Sequence, residues 1–322
     1  EKMRFPSLTP FVVACLALPA AAQTYPSRTV RLIAPFAPGG ATDVLARLTA
    51  QKLGERWGQS VIVDNRVGAG GHIGSELAAR AAPDGYTLLV AGTPNAIGMS
   101  LYQKLGYDFA KDLVPANRIA TYPSAIVVHP SLPVKNVKEL IALAKSRPGQ
   151  LNFGSAGVGS PNGLALELFK TMAKVSMVHI PYKGGSGQMV TELIAGQVQL
   201  ASIGLPPAMP YVSSGRLRVI AVTGMTRSAL LPDTPTVNES GLPGFDVTSW
   251  YGVFGPAALP KDIVAKINAD VAAILGAQDL KDRLATLGAE PGSMSTEAFM
   301  RYVREEITKW AKVVKDSGAT PD

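Results

Sequence analysis

The 322-residue chain is poor in the side chains that most often hold metals or attack carbonyls: one cysteine, Cys15, and three histidines, His72, His129 and His179. The histidines are far apart, and no HExxH spacing or cysteine cluster accompanies them, so the common zinc patterns are excluded. No GxSxG elbow and no SxxK pair occurs. There is no GxxxxGK phosphate loop, and Gly68-Ala69-Gly70-Gly71-His72-Ile73 misses the dinucleotide pattern GxGxxG because Ile73 stands at its last glycine. No metal and no cofactor is expected. Charge is also sparse, at 17% of residues with a net +7, and the Lys and Arg residues are scattered without interleaved aromatics. That argues against nucleic acid as a partner, while a modest positive field favours anionic ligands. No apolar run reaches the ~20 residues that a membrane-spanning helix needs.

The N-terminal residues read as an export leader. Lys2 and Arg4 form a positive start, residues 11–18 (FVVACLAL) are apolar, and Ala20-Ala21-Ala22 offers a small-residue cleavage site before Gln23. Met3 is a candidate initiator. Cys15 lies within this leader, and lipoprotein anchoring there is not expected because Pro6 and Pro10 interrupt the stretch before it. Removing residues 1–22 lowers the net charge from +7 to +6 and leaves no thiol, which suits an oxidising compartment such as the periplasm.

Hydrophobic residues make up 47% of the chain, enough to bury sizeable cores, and the length fits about two domains. The 32 glycines and 25 prolines fall between periodic segments and read as turns. Residues 29–34 (TVRLIA) predict a strand, Ala41–Trp57 a helix, residues 60–64 a strand, residues 72–81 a helix after a glycine-rich turn, and residues 87–91 a strand. A second block repeats the idea. Strands are predicted at 125–128, 151–154, 178–181, 199–203 and 217–223, with helices at 136–146, 162–173 and 188–195 between them. The C-terminal part is helical at 261–275, 280–287 and 295–316, and is expected to pack back on the first unit. Alternating strands and helices imply an α/β fold whose sheets are mostly parallel and flanked by helices. The expected division is a leader at 1–22, a first lobe built from 23–125 and 251–322, and a second lobe from 126–250, with crossings near 124–128 and 249–254.

In open α/β sheets ligands bind beyond the carboxyl ends of the strands. Three loops occupy that position: residues 35–43 (PFAPGGATD), 91–95 (AGTPN) and 154–162 (GSAGVGSPN). A helix N-terminus carries free N–H groups and about half a positive charge, so it suits a carboxylate. Thr42, Thr93, Ser155, Ser160 and Asn162 add short polar groups, and Gly39, Gly40 and Gly159 let the backbone approach a ligand. Each loop also has a purely structural reading, in which glycine makes the turn and Thr42 or Asp43 satisfies first-turn N–H groups. Asp43 would orient a water, an amide or a ligand ammonium rather than an anion. Phe36 can flank a ligand or pack its own loop, and Lys183 can neutralise an anion or remain solvated. Core packing is favoured for Trp250 and Tyr251.

Taken together, VRLIAPFAPGGATDVLAR (30–47), VIVDNRVGAGGHIGSELAARAAPDGYTLL (61–89), LNFGSAGVGSPNGLALELF (151–169), VHIPYKGG (178–185), GRLRVIAVTGMTRSALLPDTPTVNESGLPGF (215–245) and WYGVFGPAALP (250–260) span nearly the whole chain. The chain resembles the substrate-binding proteins of tripartite tricarboxylate transporters, the Bug- or TctC-type receptors. The resemblance implies a Venus-flytrap, or periplasmic-binding-protein, fold of two α/β lobes and a small carboxylated solute held in the cleft. It also implies delivery to integral-membrane transporter subunits and a monomeric state. Carried over, it assigns ligand contacts to Phe36, Gly39, Gly40, Thr42 and Asp43, to Ser155, Gly159 and Ser160, and to Lys183 and Gly184 of the PYKG segment. The chain departs from the family at Asn162-Gly163-Leu164, where many members carry histidine before leucine, and at Gly187-Gln188-Met189, which lacks a proline often found there. Two other readings stay open on the residues alone: a secreted α/β hydrolase, which would need a nucleophile–base pair, and a ligand sensor for a membrane kinase.

Overall fold

The computed structural model describes residues 25–182 and 185–321. The predicted leader at 1–22 with Cys15, and the site candidates Lys183 and Gly184, lie outside the described residues.

The chain begins with β1 (Val30–Ala34), α1 (Ala41–Trp57), β2 (Val61–Asn65), α2 (His72–Ala79), β3 (Thr87–Gly92), α3 (Thr93–Leu101) and β4 (Leu113–Tyr122). It continues through β5 (Ser124–Val128), α4 (Val137–Ser146), β6 (Asn152–Ser155), α5 (Pro161–Ala173), β7 (Val178–Pro181), α6 (Gly185–Ile194), β8 (Leu200–Gly204), α7 (Leu205–Ser213) and β9 (Arg218–Val222). It ends with β10 (Ser249–Pro256), α8 (Lys261–Gly276), α9 (Gln278–Thr286), β11 (Glu290–Pro291) and α10 (Thr296–Ser317).

The strands form two sheets, ordered β11-β4-β10-β3-β1-β2 and β7-β6-β8-β5-β9. The α/β class holds, and β1, β2 and β3, like β6, β7 and β8, pair in parallel as strand–helix–strand units do. The expectation of mostly parallel sheets needs correction, because both are mixed. β10 runs antiparallel between β3 and β4, and β5 runs antiparallel between β8 and β9. Both strands arrive from the other sheet, so no helical crossover constrains their direction. The segments expected to cross, near 124–128 and 249–254, are themselves strands. The outward step is confined to Pro123, between the end of β4 and the start of β5.

Five elements had no counterpart in the sequence reading: β4, β10, β11, α3 and α7. β4 carries Pro115 opposite Phe254, beside a break in register, where a missing N–H is tolerated. α3 starts directly after β3, so the 91–95 segment is the end of a strand and the first turn of a helix rather than a loop.

One apolar core joins the two sheets, taking Ile33 and Leu89 from the first, Ile126 and Phe153 from the second, and Trp310 from α10. A second lies between the first sheet and α1 and α8, through Leu45, Leu53, Ile267 and Val271. A third packs α6 and α7 on the second sheet, through Met189, Leu193 and Ala208. α10 lies on β4 and α3 but also reaches α5, so the last helix touches elements of both halves. Glu306 fixes it there. Its buried carboxylate accepts the indole N–H of Trp250 in β10 at 2.9 Å and of Trp310 at 3.0 Å, and pairs with Lys309.

Candidate functional site

A cleft of about 550 Å³ opens between the two sheets. The first turns of five helices reach it: Ala41 of α1, Pro94 of α3, Pro161 and Asn162 of α5, Ser186 and Gly187 of α6, and Pro207 of α7. Ser160 precedes α5 on its rim. Tyr122 and Ser124 flank the crossing, and Ser249 and Tyr251 of β10 stand beside them. Each of these helices starts where a strand ends, which is why so many helix N-termini meet in one place. Among the described residues that line it, none is an Asp, Glu, Lys, Arg or His.

The first loop is built to leave backbone amides open. Gly39 has φ +84°, a conformation that a side chain disfavours. Gly40 is the N-cap of α1 and brings no side-chain oxygen to its first N–H groups. Asp43 is turned inward and is 3% exposed. Its carboxylate accepts the Gly39 N–H at 2.9 Å, Asn65 Nδ2 at 2.9 Å and Arg47 Nε at 3.0 Å. Asn65 also donates to the Phe36 carbonyl at 3.0 Å, so strand β2 and helix α1 clamp the loop from both sides. Burial opposes ionisation of Asp43, but the bonds from Arg47, the Gly39 amide and Asn65 outweigh it and hold its pKa at about 2. Phe36 packs its ring against Gly71. Thr42 is buried and stands close to the hydroxyl of Tyr251.

Thr93 is likewise turned inward, accepting the Trp250 backbone N–H at 2.9 Å and so tying α3 to β10. In the second loop, Gly159 has φ +80° and lies against Leu101 of α3, so it closes the two halves on each other rather than facing open space. Ser160 caps α5, accepting the Gly163 N–H at 3.2 Å and donating to the Gly157 carbonyl at 2.8 Å. Asn162 accepts a hydrogen bond from Ser124 Oγ at 3.1 Å. Of the residues singled out from sequence, Ser160 and Asn162 thus line the cleft, and Thr42, Asp43, Thr93 and Ser155 stand behind its walls.

Ser155 has a geometry worth separating from catalysis. Its Oγ is 2.6 Å from His179 Nε2, and His179 Nδ1 is 3.5 Å from Glu167 Oε1, the order of a Ser-His-acid triad. Yet Ser155 is fully buried, accepts the Gly157 N–H at 3.2 Å and donates to the Gly157 carbonyl at 3.0 Å. The Ser155 hydroxyl is thus shared between the Gly157 carbonyl and the ring, and Ser155 is not among the residues that line the cleft. The His179 ring stacks on Phe153 with centroids 4.6 Å apart, so the group braces the glycine-rich loop.

Tyr122 and Tyr251 were missed as site residues. Their rings meet edge to face at 5.7 Å on the cleft wall. Burial raises both phenol pKa values, that of Tyr122 to about 12, so both stay neutral donors at physiological pH. Among the described residues no three His, Cys, Asp or Glu side chains converge as metal ligands. No described helix is long and apolar enough to cross a membrane.

Two α/β sheets with a cleft at their strand ends, and a chain that crosses between them, define the class of two-lobe periplasmic solute-binding proteins. The chain belongs to the tripartite tricarboxylate transporter family of receptors, whose model matches residues 45–319. It is 37% identical over 306 residues to Protein BugT of Bordetella pertussis, covering 94% of each chain. Among solved structures it is similar to R. palustris Rpa4515 with adipate, at 40% identity and a TM-score of 0.77, over 92% of this chain and 100% of that one. It is also similar to MatC (Rpa3494) from Rhodopseudomonas palustris with bound malate, at 34% identity and a TM-score of 0.74, over 90% and 100%. The family's members are receptors that bind solutes, not enzymes.

Proposed function

We propose that this protein binds a small carboxylate in the cleft and delivers it to the integral-membrane subunits of a tripartite tricarboxylate transporter. The observation that carries the reading is the lining itself: five helix N-termini and no charged side chain among the described residues. Such a cleft meets an anion with backbone dipoles and neutral donors, which are already oriented before the solute arrives. The amides of residues 41–43 are the principal cradle, with Ser160 and Asn162 opposing them. Adipate in Rpa4515 and malate in MatC support the carboxylate class. Nothing here calls for turnover, since a receptor must release its solute unchanged. The leader at 1–22 would place the mature chain in the periplasm as a monomer. Residues 23–125 with 251–322 would close on 126–250 by a hinge at the crossings.

The test is a thermal-shift screen of the purified chain against mono-, di- and tricarboxylates, each paired with its amide. A solute far above its Kd stabilises the folded state by about 3 kcal/mol at 100-fold excess. A rise in Tm with an acid and not with its amide is expected. Equal responses to acid and amide, or none to any acid, would reject the carboxylate reading.

A further inference from the structure

The chemistry of the cleft walls narrows the class of acid, an inference that rests on the function proposed above. Three of the five helices that face the cleft carry proline in the first turn: Pro94, Pro161 and Pro207. Proline fits a first turn, but it has no N–H and sets an apolar ring where an amide donor would stand. Some of the remaining donors at two of these helices are engaged. At α5 the Gly163 N–H is capped by Ser160, which leaves the amide of Asn162. At α7 the Leu205 N–H donates to the Pro123 carbonyl at 3.2 Å. α1, with no proline in its first turn and no side-chain cap at Gly40, keeps its amides, and Ser186 and Gly187 of α6 stand beside the cleft.

The rest of the lining is mostly apolar and aromatic, with hydroxyls from Ser124, Ser160 and Ser249 among it. α6 contributes Met189 and Val190, β8 contributes Ile203, and α7 contributes Tyr211 beyond Pro207. The first sheet supplies Tyr122 and Tyr251 in edge-to-face contact. A polyhydroxylated acid has more hydroxyls than the few serines of the lining can meet, and burying the remainder against the apolar surfaces is costly. A planar ring gains from the same surfaces by apolar burial and by contact with the tyrosine edges. We infer that the solute is an aromatic carboxylate, its acid group at the first turn of α1 and its ring against the prolines, Val190, Ile203 and the tyrosines.

The inference is tested by isothermal titration of the purified chain, freed of any co-purified solute by unfolding and refolding, with benzoate, phenylacetate, adipate, malate and benzamide. An aromatic acid should bind roughly 10- to 100-fold tighter than malate and adipate, the gain that burial of a ring brings. Malate or adipate binding as tightly as either aromatic acid would overturn the aromatic assignment while leaving carboxylate binding intact. Failure of every acid to exceed benzamide would instead reject both. Val190→Thr keeps the shape of the wall and adds one hydroxyl. It should weaken the aromatic acid several-fold and leave malate unchanged, with thermal unfolding confirming that the variant is folded. Unchanged aromatic affinity in that folded variant would overturn the placement of the ring.

Discussion

Replacing Asp43 separates a brace from a ligand contact. The residue is 3% exposed, and its carboxylate receives the Gly39 N–H, Asn65 Nδ2 and Arg47 Nε, at 2.9, 2.9 and 3.0 Å. Hydrogen bonds to a charged acceptor contribute about 1.5 kcal/mol or more each. Arg47 is largely exposed, so solvent screens its bond and its share is small. Asp43→Ala should therefore destabilise the solute-free protein by about 3–4 kcal/mol, lowering Tm by roughly 6–15 °C for a chain of this size. The sign of the pH dependence follows from the lowered pKa of about 2 against an ordinary value of 3.8. The stability Asp43 contributes is present above its unfolded value and is lost as the pH falls from about 4 towards 2. Asp43→Asn should flatten that part of the acid-unfolding curve. The assays are thermal and urea unfolding without solute at pH 7, and acid unfolding monitored by circular dichroism. A change of less than about 0.5 kcal/mol together with lost carboxylate affinity would refute the bracing role and return Asp43 to the cleft.

Glu306→Leu should cost about 3–5 kcal/mol, because it strands the buried indole N–H groups of Trp250 and Trp310 and the ammonium of Lys309; urea unfolding measures it, and near-wild-type stability would show that α10 is held by apolar packing alone. Gly159→Ala combines a φ of +80° with a Cβ placed 2.5 Å from Leu101 Cδ2, and should destabilise the protein by roughly 1–3 kcal/mol, read by thermal unfolding. The double substitution Thr42→Ala and Ser160→Ala removes the hydroxyl beside Tyr251 and the cap of α5. It should weaken carboxylate affinity by about 10- to 100-fold in isothermal titration, and unchanged affinity would remove both residues from the site.

The parallel units were legible because their strands and helices carry their own periodicity: β1, α1 and β2 fall where the apolar residues recur at strand and helix spacing. The strands that carry the chain between sheets were not. β10 reads Ser-Trp-Tyr-Gly-Val-Phe-Gly-Pro, and two glycines and a proline look like a loop. The glycine at 252 is there for a tertiary reason, since a Cβ would sit 2.4 Å from the Phe299 ring. In α3, Gly98 lies against the buried ring of His72 in the same way. Burial lowers the pKa of that histidine to about 4, so it packs as a neutral ring. Local propensity cannot register such demands, because the partner residue is distant in the chain.

At the site, the sequence marked the loops but not the direction of their side chains. Thr93, Asp43 and Ser155 each carry the polar group that suggested a ligand contact, and each spends it on a backbone N–H: of Trp250, of Gly39 and of Gly157. The residues that border the cleft include Tyr122 and Tyr251, which sit in strands and resemble core positions until the two sheets are placed side by side. These facts have one cause. A cradle made of backbone amides has to be stiff before the solute arrives, since ordering it on binding would subtract from affinity. The short polar side chains of these glycine-rich loops supply that stiffness by bonding inward, and α1 starts at Gly40 without a side-chain cap. On the proposed function, a threonine, serine or aspartate in such a loop locates the amide cradle, and the backbone beside it is where the solute contact is expected.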